Sequence, residues 1–171
     1  MIITSTESSA FITGYTQLMT VIRGPAASGD KSSVLDIVAT GRAKYVADRA
    51  LLDHALESLA KKAIEVPEPV VAAVRSLEVK RWVYLKDLSK HSIFLDPQKD
   101  VAYAVYGLTD PIKSILGRSG AAIETGLMRY VGRYACDGIV ASVVWLGPGY
   151  RKGFAAQFAE IRAKGDFCKT C

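Results

Sequence analysis

The stretch "RWVYLKDLSKHSIFLDPQKDVAYAVYGL", residues 81–108, is the most informative about the fold class because it contains three β-rich runs joined by short polar turns. The runs cover 81–87, 91–96 and 101–108, and they are rich in the Val, Ile, Tyr and Phe residues that are typical of strands. Strands joined by such short turns run antiparallel. The stretch therefore predicts the first half of an antiparallel sheet.

Downstream of this stretch the strand pattern continues and then changes to a helix. The runs "AAIETGLMRY" (121–130), "RYACDG" (133–138) and "IVASVVWLG" (139–147) bring the predicted total to about six strands between residues 81 and 146. A sheet of this kind is expected to be curved and partly closed. Aromatic residues from Tyr150 to Phe158 then recur at helical spacing, which predicts a C-terminal amphipathic helix that ends at Gly165.

Upstream, residues 1–78 have a mainly helical pattern. The run Ser9–Arg23 mixes strand-favouring residues with a helical apolar face, and we favour a helix. A short helix is expected to end at Gly41, and a longer one to run from about Arg42 to Ala63. The predicted class is α+β, with a mainly helical N-terminal segment packed on a curved, largely antiparallel sheet.

The same patterns predict a single domain over residues 1–171, in which a helical segment (residues 1–78) precedes a basic β-rich segment (residues 79–171). A chain of 171 residues is long enough to bury a core without a disulfide or metal. No apolar run approaches the ~20 residues of a membrane span. The start "MIITSTESSA" lacks the pattern of a secretory leader, and three cysteines make an odd count, so we expect a reduced, cytoplasmic protein that does not bind membranes.

The charge is unevenly distributed along the chain. Residues 1–78 carry 8 Lys and Arg against 9 Asp and Glu, whereas residues 79–171 carry 14 against 8. Six of the eight tyrosines also lie in the second segment. This asymmetry suggests a polyanionic partner for the β-rich segment, although a basic surface without a partner fits the same numbers.

The stretch "LMRYVGRYACDG", residues 127–138, is the main candidate for contact with such a partner. If Val131-Gly132 forms the turn of a hairpin, Arg129 faces Tyr134 and Tyr130 faces Arg133, so each face of the tip shows one Arg and one Tyr. Arg and Tyr are suited to phosphate contact and base stacking. The alternatives are cation–π pairs that serve only the hairpin, and a protein interface.

A predicted nucleic-acid-binding surface follows from this stretch and from the basic pair at the start of the first strand. Its residues are Lys80, Arg81, Arg129, Tyr130, Arg133 and Tyr134.

Catalytic chemistry has weaker candidates in the sequence. Glu124 lies in an apolar run, where a carboxylate is costly unless paired or exposed, and together with Asp137 it offers oxygen ligands for Mg²⁺. His91 is a possible general base. The glycines of "LGRSGAAIETG" (116–126) do not form a phosphate-binding motif, and the terminal Cys168 and Cys171 lack further zinc ligands.

These observations lead to three functional hypotheses. The first is a nucleic-acid-associated regulatory or binding protein that acts through a basic, Tyr-rich sheet surface, without cofactor or metal. The second is a protein-binding inhibitor or adaptor that recognises an acidic protein surface. The third is a Mg²⁺-dependent nuclease or phosphodiesterase, although the sequence favours a protein that is not an enzyme.

Overall fold

The computed structural model describes residues 2–25 and 31–171, and it confirms the α+β class. The chain divides into two compact units. One is the helical unit, Thr6–Val74, and the other is the barrel unit, which contains Arg75–Cys171 and the described residues before Thr6. The prediction that the whole chain is one domain stays a prediction.

The helical unit contains four helices. They are α1 (Ser5–Arg23), α2 (Val34–Ala47), α3 (Leu51–Ala60) and α4 (Glu68–Arg75). The helix favoured for Ser9–Arg23 is confirmed as the greater portion of α1.

The predicted helix boundary at Gly41 is wrong. The α2 helix continues through Gly41 to Ala47. A Cβ atom at position 41 would collide with the backbone carbonyl of Met19, so glycine is required there for packing and does not mark a helix end. Gly41 therefore serves a close helix–helix approach. The helix ends at Asp48, whose carboxylate accepts a hydrogen bond from the Ala50 amide at 3.0 Å. This side-chain bond replaces a helical backbone bond, and the residue type alone did not predict it.

The barrel unit contains six strands and two helices. They are β1 (Glu78–Asp87), β2 (Ser92–Asp96), β3 (Val101–Tyr106), α5 (Ile112–Leu116), β4 (Ala121–Tyr130), β5 (Arg133–Trp145), α6 (Pro148–Lys164) and β6 (Phe167–Cys168). The total of about six strands is confirmed, but only five lie between residues 78 and 145. The runs 133–138 and 139–147 form the single strand β5, and the sixth strand follows α6.

The first five strands close into a ring. The β1–β2–β3 segment is an antiparallel meander, β4 lies antiparallel to β1, and β5 lies antiparallel to β4. The ring closes where β5 runs parallel to β3, with Val105 opposite Tyr134 and Tyr106 opposite Ala135. The short strand β6 runs parallel to the first half of β3 and continues this narrow seam. The result is a small Greek-key barrel.

Side-chain alternation divides the apolar residues between the inside and the outside of the barrel. The inner cluster is built around Trp82, Tyr84 and Phe94, all at most 2% exposed. The outer cluster lies between the β1–β2–β3 face and α6, which contributes Phe158 and Ile161. The C-terminal helix predicted from its aromatic spacing therefore covers one outer face of the barrel. Among the described residues, no helix has the length and apolar character needed to cross a membrane.

The tip of the β4–β5 hairpin is a two-residue turn with a strained residue. Both Val131 (φ 46°) and Gly132 (φ 73°) have positive φ, as a type I′ turn requires. Glycine adopts this conformation freely, but a β-branched residue does not. Strain at an exposed tip is a reason to examine the hairpin for function.

Replacing the strained residue is expected to stabilise the barrel unit. Val131→Asn puts a residue that tolerates positive φ into the first turn position, so the free energy of unfolding should rise by about 1 kcal/mol. Gly132→Ala puts a Cβ into the second such position and should lower it by about 1 kcal/mol. Thermal or denaturant unfolding of both variants measures the pair of effects. An unchanged or lowered stability of Val131→Asn would contradict the assigned turn.

Candidate functional site

The hairpin register places one Arg and one Tyr on each face of the tip, as predicted. Arg129 lies opposite Tyr134, and Tyr130 lies opposite Arg133. The two faces have different surroundings. The Arg129 and Tyr134 face turns towards an open end of the barrel, and Arg133 lies on the outer surface over the ring of Tyr106, 5.1 Å from its centroid.

The first face lines a pocket, called here the mouth pocket, of about 270 Å³. Its walls come from the segment before β1 and from strands β1, β3, β4 and β5. They are Ser76, Glu78, Trp82, Tyr103, Leu127, Met128, Arg129 and Tyr134. Barrel mouths are common ligand sites, and this pocket is slightly smaller than the usual range of about 300–1,000 Å³.

Three aromatic rings form one wall of the mouth pocket. The Trp82 and Tyr103 ring centroids are 5.7 Å apart and those of Tyr103 and Tyr134 are 4.9 Å apart, both with edge-on geometry. The indole of Trp82 is fixed by a 3.1 Å hydrogen bond from Nε1 to the carbonyl of Thr125. The wall is therefore rigid before any ligand binds, which lowers the entropy cost of binding.

Both phenols of this wall are neutral at physiological pH. Burial raises the pKa of Tyr103, and the negative charges that Cys168, Asp96 and Glu78 can carry raise it further. Burial and the two C-terminal cysteines also raise the pKa of Tyr134, and the cation of Arg129 only partly opposes this. Each hydroxyl thus keeps its proton and is chemically able to donate a hydrogen bond.

Arg129 is the exposed cation at the rim of the mouth pocket. Its backbone amide donates to the Ser76 hydroxyl at 2.9 Å, which fixes the position of the residue. The guanidinium forms no ion pair with any acidic side chain among residues 2–25 and 31–171. An Arg without an acidic partner beside neutral aromatic groups is suited to an anion attached to a planar ring.

Lys80, which the sequence places on the predicted binding surface, is held within the protein. Its ammonium lies 2.6 Å from the Asp96 carboxylate, 3.0 Å from Glu78 and 4.3 Å from the Trp82 ring centroid. Burial would lower the pKa of Lys80, but the hydrogen bonds to Asp96 and Glu78 outweigh it and the pKa is raised. The Lys80 charge is therefore compensated by carboxylates of the barrel unit and contributes little to the attraction of a partner.

Tyr130 and Arg81, which were also predicted for the binding surface, do not line the mouth pocket. Tyr130 is only 3% exposed, so its ring offers no open face for base stacking. Arg81 is exposed on β1, where its register partner on β4 is Glu124. The structure thus brings together Arg129 and Tyr134 in the mouth pocket, and it leaves Arg81 apart from them.

The second face of the hairpin belongs to an aromatic and basic patch, called here the outer patch. It consists of His91, Tyr106, Arg133, Phe167 and Lys169. The His91 ring lies 6.3 Å from Tyr106 and 5.9 Å from Phe167. The Lys169 ammonium lies 5.6 Å from the centroid of Phe167. Sequence reasoning missed both Tyr106 and Phe167, because β3 and β6 become neighbours only in the folded barrel.

The C-terminal segment lies directly against the hairpin tip. The Cys171 amide donates to the Gly132 carbonyl at 3.3 Å, and its thiol lies 3.3 Å from the Arg133 carbonyl. Burial raises the pKa of the Cys171 thiol, and the Arg129 cation partly opposes this. All three cysteines are free thiols. The segment therefore stabilises the edge of the mouth pocket through backbone contacts.

Asp137, a predicted Mg²⁺ ligand, has a structural role. One carboxylate oxygen accepts hydrogen bonds from the amides of Ile139 and Gly126 at 3.0 and 3.3 Å. The Thr125 hydroxyl lies 3.3 Å from the same oxygen and 3.0 Å from the Ile139 carbonyl, which is its shorter acceptor. These bonds satisfy backbone groups where the β4–β5 register shifts at a bulge. Glu124 is half-buried and has Ser142 as its register partner on β5, so the two carboxylates are not on opposed residues.

No group of three or more His, Cys, Asp or Glu side chains with metal-binding geometry occurs among the residues that the structure describes. His91, the predicted general base, lies in the outer patch. Its Nε2 is buried without a hydrogen-bond partner in the described structure. Burial and the neighbouring Lys169 lower the pKa of His91, so the ring is neutral at pH 7.

Comparison with protein-family models, with curated proteins and with solved structures finds no match for this chain. Function therefore has to be argued from the mouth pocket and the outer patch.

The Lys80–Asp96 ion pair gives a prediction for how the stability of the protein depends on pH. Burial raises the pKa of Asp96, but the hydrogen bond and charge of Lys80 together with the backbone amides of Gln98 and Lys99 outweigh it, so the pKa is lowered. The ionised pair therefore stabilises the fold above pH ~4, and this contribution is lost as pH falls through the lowered pKa. Lys80→Met should reduce the free energy of unfolding by about 2 kcal/mol at pH 7. The difference from the parent should shrink below pH ~4, where Asp96 becomes protonated in the variant.

Lys99→Met is the matched control for this experiment. The Lys99 ammonium lies 3.7 Å from Glu78 and the side chain is 57% exposed, so its removal should change stability by at most about 0.5 kcal/mol. Denaturant unfolding across the pH range measures both variants. Equal effects of the two substitutions would show that the Lys80–Asp96 pair has no special role.

The role of Asp137 is tested by substitution with and without Mg²⁺. Asp137→Ala leaves the amides of Gly126 and Ile139 without this acceptor, so the free energy of unfolding should fall by about 3 kcal/mol, equally at zero and millimolar Mg²⁺. Glu124→Gln should change it by at most about 0.5 kcal/mol. If Mg²⁺ raises the melting temperature of the parent but of neither variant, these carboxylates bind the metal after all.

Proposed function

We propose that the protein is a nucleic-acid-associated, cytoplasmic binding protein whose barrel unit contacts nucleic acid through the β4–β5 hairpin and the two surfaces beside it. The observation that carries the proposal is the hairpin tip itself. It presents Arg129 next to the aromatic wall of the mouth pocket on one face, and Arg133 next to Tyr106 on the other. Cations beside aromatic rings are the combination that contacts a phosphate backbone and stacks bases.

The charges of the described residues support this assignment. The Lys80 charge is balanced by Asp96, whereas Arg129, Arg133 and Lys169 form no ion pair with any described acidic side chain. These three cations lie on one hairpin and on the C-terminal segment that contacts its tip. A cationic margin of this kind attracts a polyanion and gives salt-dependent binding.

The barrel architecture supports the proposal by analogy at the loop between strands 4 and 5. Small five-stranded Greek-key barrels of the OB type bind oligonucleotides on the face of strands 2 and 3 and with the loops between strands 1–2 and 4–5. In this barrel α6 packs on the outer β1–β2–β3 face through Phe158 and Ile161, so this face differs from the open face of such barrels. The outer patch lies beside the region that α6 covers, and the hairpin tip is the loop between strands 4 and 5.

A protein partner is the second candidate function, and an exposed apolar strand end favours it. Val143, Val144 and Trp145 at the end of β5 are 38%, 53% and 40% exposed. Exposed apolar strands are places where proteins associate. This surface lies at the opposite end of β5 from the hairpin tip, so the two candidates are separable by substitution.

Nucleic-acid binding is tested by removing the two arginines of the hairpin tip. Arg129→Ala and Arg133→Ala should each weaken binding to single-stranded DNA or RNA about tenfold at low salt, and the double variant should lower the log–log salt slope by about 2. Fluorescence anisotropy across a salt series measures both quantities.

The control is Lys113→Ala, which removes one exposed cation from α5. Its affinity and salt slope should match those of the parent. Absence of binding to any single or double strand at low salt would falsify the proposal, and a co-purifying protein whose capture requires Val144 and Trp145 would then favour the second candidate.

A further inference from the structure

We propose that the mouth pocket binds one unpaired base of a single strand and prefers a base that carries an exocyclic amino group, with Glu78 as the specificity-determining residue. The inference rests on the proposed nucleic-acid function and adds the class of strand and base. Three features of the pocket carry it: its size, the positions of its two charged groups, and the hydrogen-bonding chemistry of a carboxylate.

The size of the pocket limits what enters it. A space of about 270 Å³ admits one planar ring with its sugar and excludes a stacked base pair. The rings of Tyr103 and Tyr134 supply a preformed apolar wall, fixed by edge-on contacts with each other and with Trp82. A base reaches this wall only when it is unstacked and unpaired, as in single-stranded substrates.

The two charged side chains that line the pocket lie at different positions along its rim. Glu78 has Leu127 as its register partner, and Arg129 is the next residue on the same face of β4. Such diagonal neighbours are about 7–8 Å apart. Arg129 can therefore hold the phosphate of a nucleotide while the edge of its base approaches Glu78, because the phosphate and the base edge lie at opposite ends of the nucleotide.

The carboxylate of Glu78 determines which base edge is favoured. One of its oxygens lies 3.0 Å from Lys80 and 3.7 Å from Lys99. A carboxylate oxygen accepts hydrogen bonds and has none to donate. The Glu78 side chain is 53% exposed, and the residue lines the pocket. An amino group, such as N4 of cytosine, donates to it, whereas the O4 carbonyl of uracil meets it as a second acceptor and is repelled.

The matched probes are oligonucleotides of deoxycytidine and of deoxyuridine, each about twelve nucleotides long. Their bases differ only at the group on position 4 and at the neighbouring ring nitrogen. The parent protein should bind the cytosine strand about tenfold more tightly than the uracil strand. Glu78→Gln, whose amide both donates and accepts, should bring the two affinities to within about twofold. Glu124→Gln, which changes another carboxylate of the barrel unit, should keep the preference of the parent.

A second variant separates the effect of the Arg129 charge on affinity from the effect of Glu78 on base preference. Arg129→Ala should weaken both strands by the same factor and leave the preference unchanged, because it removes the phosphate contact alone. Melting temperatures of all variants, measured in parallel, show that the barrel unit remains folded.

The outcomes distinguish this inference from the proposed function. Equal affinity of the parent for both strands, an undiminished preference in Glu78→Gln, or equal binding of the cytosine strand when paired in a duplex would each overturn the inference while nucleic-acid binding stands. Failure of every strand to bind at low salt would overturn both. A cytosine preference that disappears in Glu78→Gln and persists in Arg129→Ala supports the pocket as described.

Discussion

The buried carboxylate of Asp137 is the constraint on which the barrel unit depends. It accepts from two backbone amides at the point where the β4 and β5 registers shift. A bulge increases the local bend and twist of a hairpin. The bend allows one hairpin to pair with β1 along one edge and with β3 along the other, which closes the ring. Without this carboxylate, the backbone groups at the bulge would be buried and unpaired.

Closure of the ring also creates the functional surfaces. The parallel contact between β3 and β5 spans only two residue pairs, and β6 continues it along β3. As a result the hairpin tip, β3 and the C-terminal segment meet at one end of the barrel. Rings from three separate strands then line the mouth pocket, while Arg133 and Tyr106 meet on the outside. Two faces of one short hairpin thus acquire different surroundings.

The barrel separates cations that hold the structure together from cations that are open to a partner. Lys80 is bound to Asp96, whose side chain is 1% exposed, so its charge compensates a buried carboxylate. Arg129 and Arg133 have no such acidic partner among the described residues. They are positioned instead by backbone and aromatic contacts. Sequence position alone does not make this distinction, because Lys80 and Arg129 are both basic residues within β-rich runs.

Local sequence patterns were sufficient to predict the α+β class, the positions of most strands, the C-terminal helix and the pairing of Arg129 with Tyr134. These features depend on the alternation of apolar residues over short distances and on turn geometry. Tertiary contacts were needed to show that 133–145 is one strand, that Tyr130 is buried, and which residues line the mouth pocket. Those features depend on long-range contacts between β1, β3 and the hairpin, and no local pattern encodes them. Glu78 illustrates the difference, since it becomes a candidate for base recognition only when β1 lies beside β4.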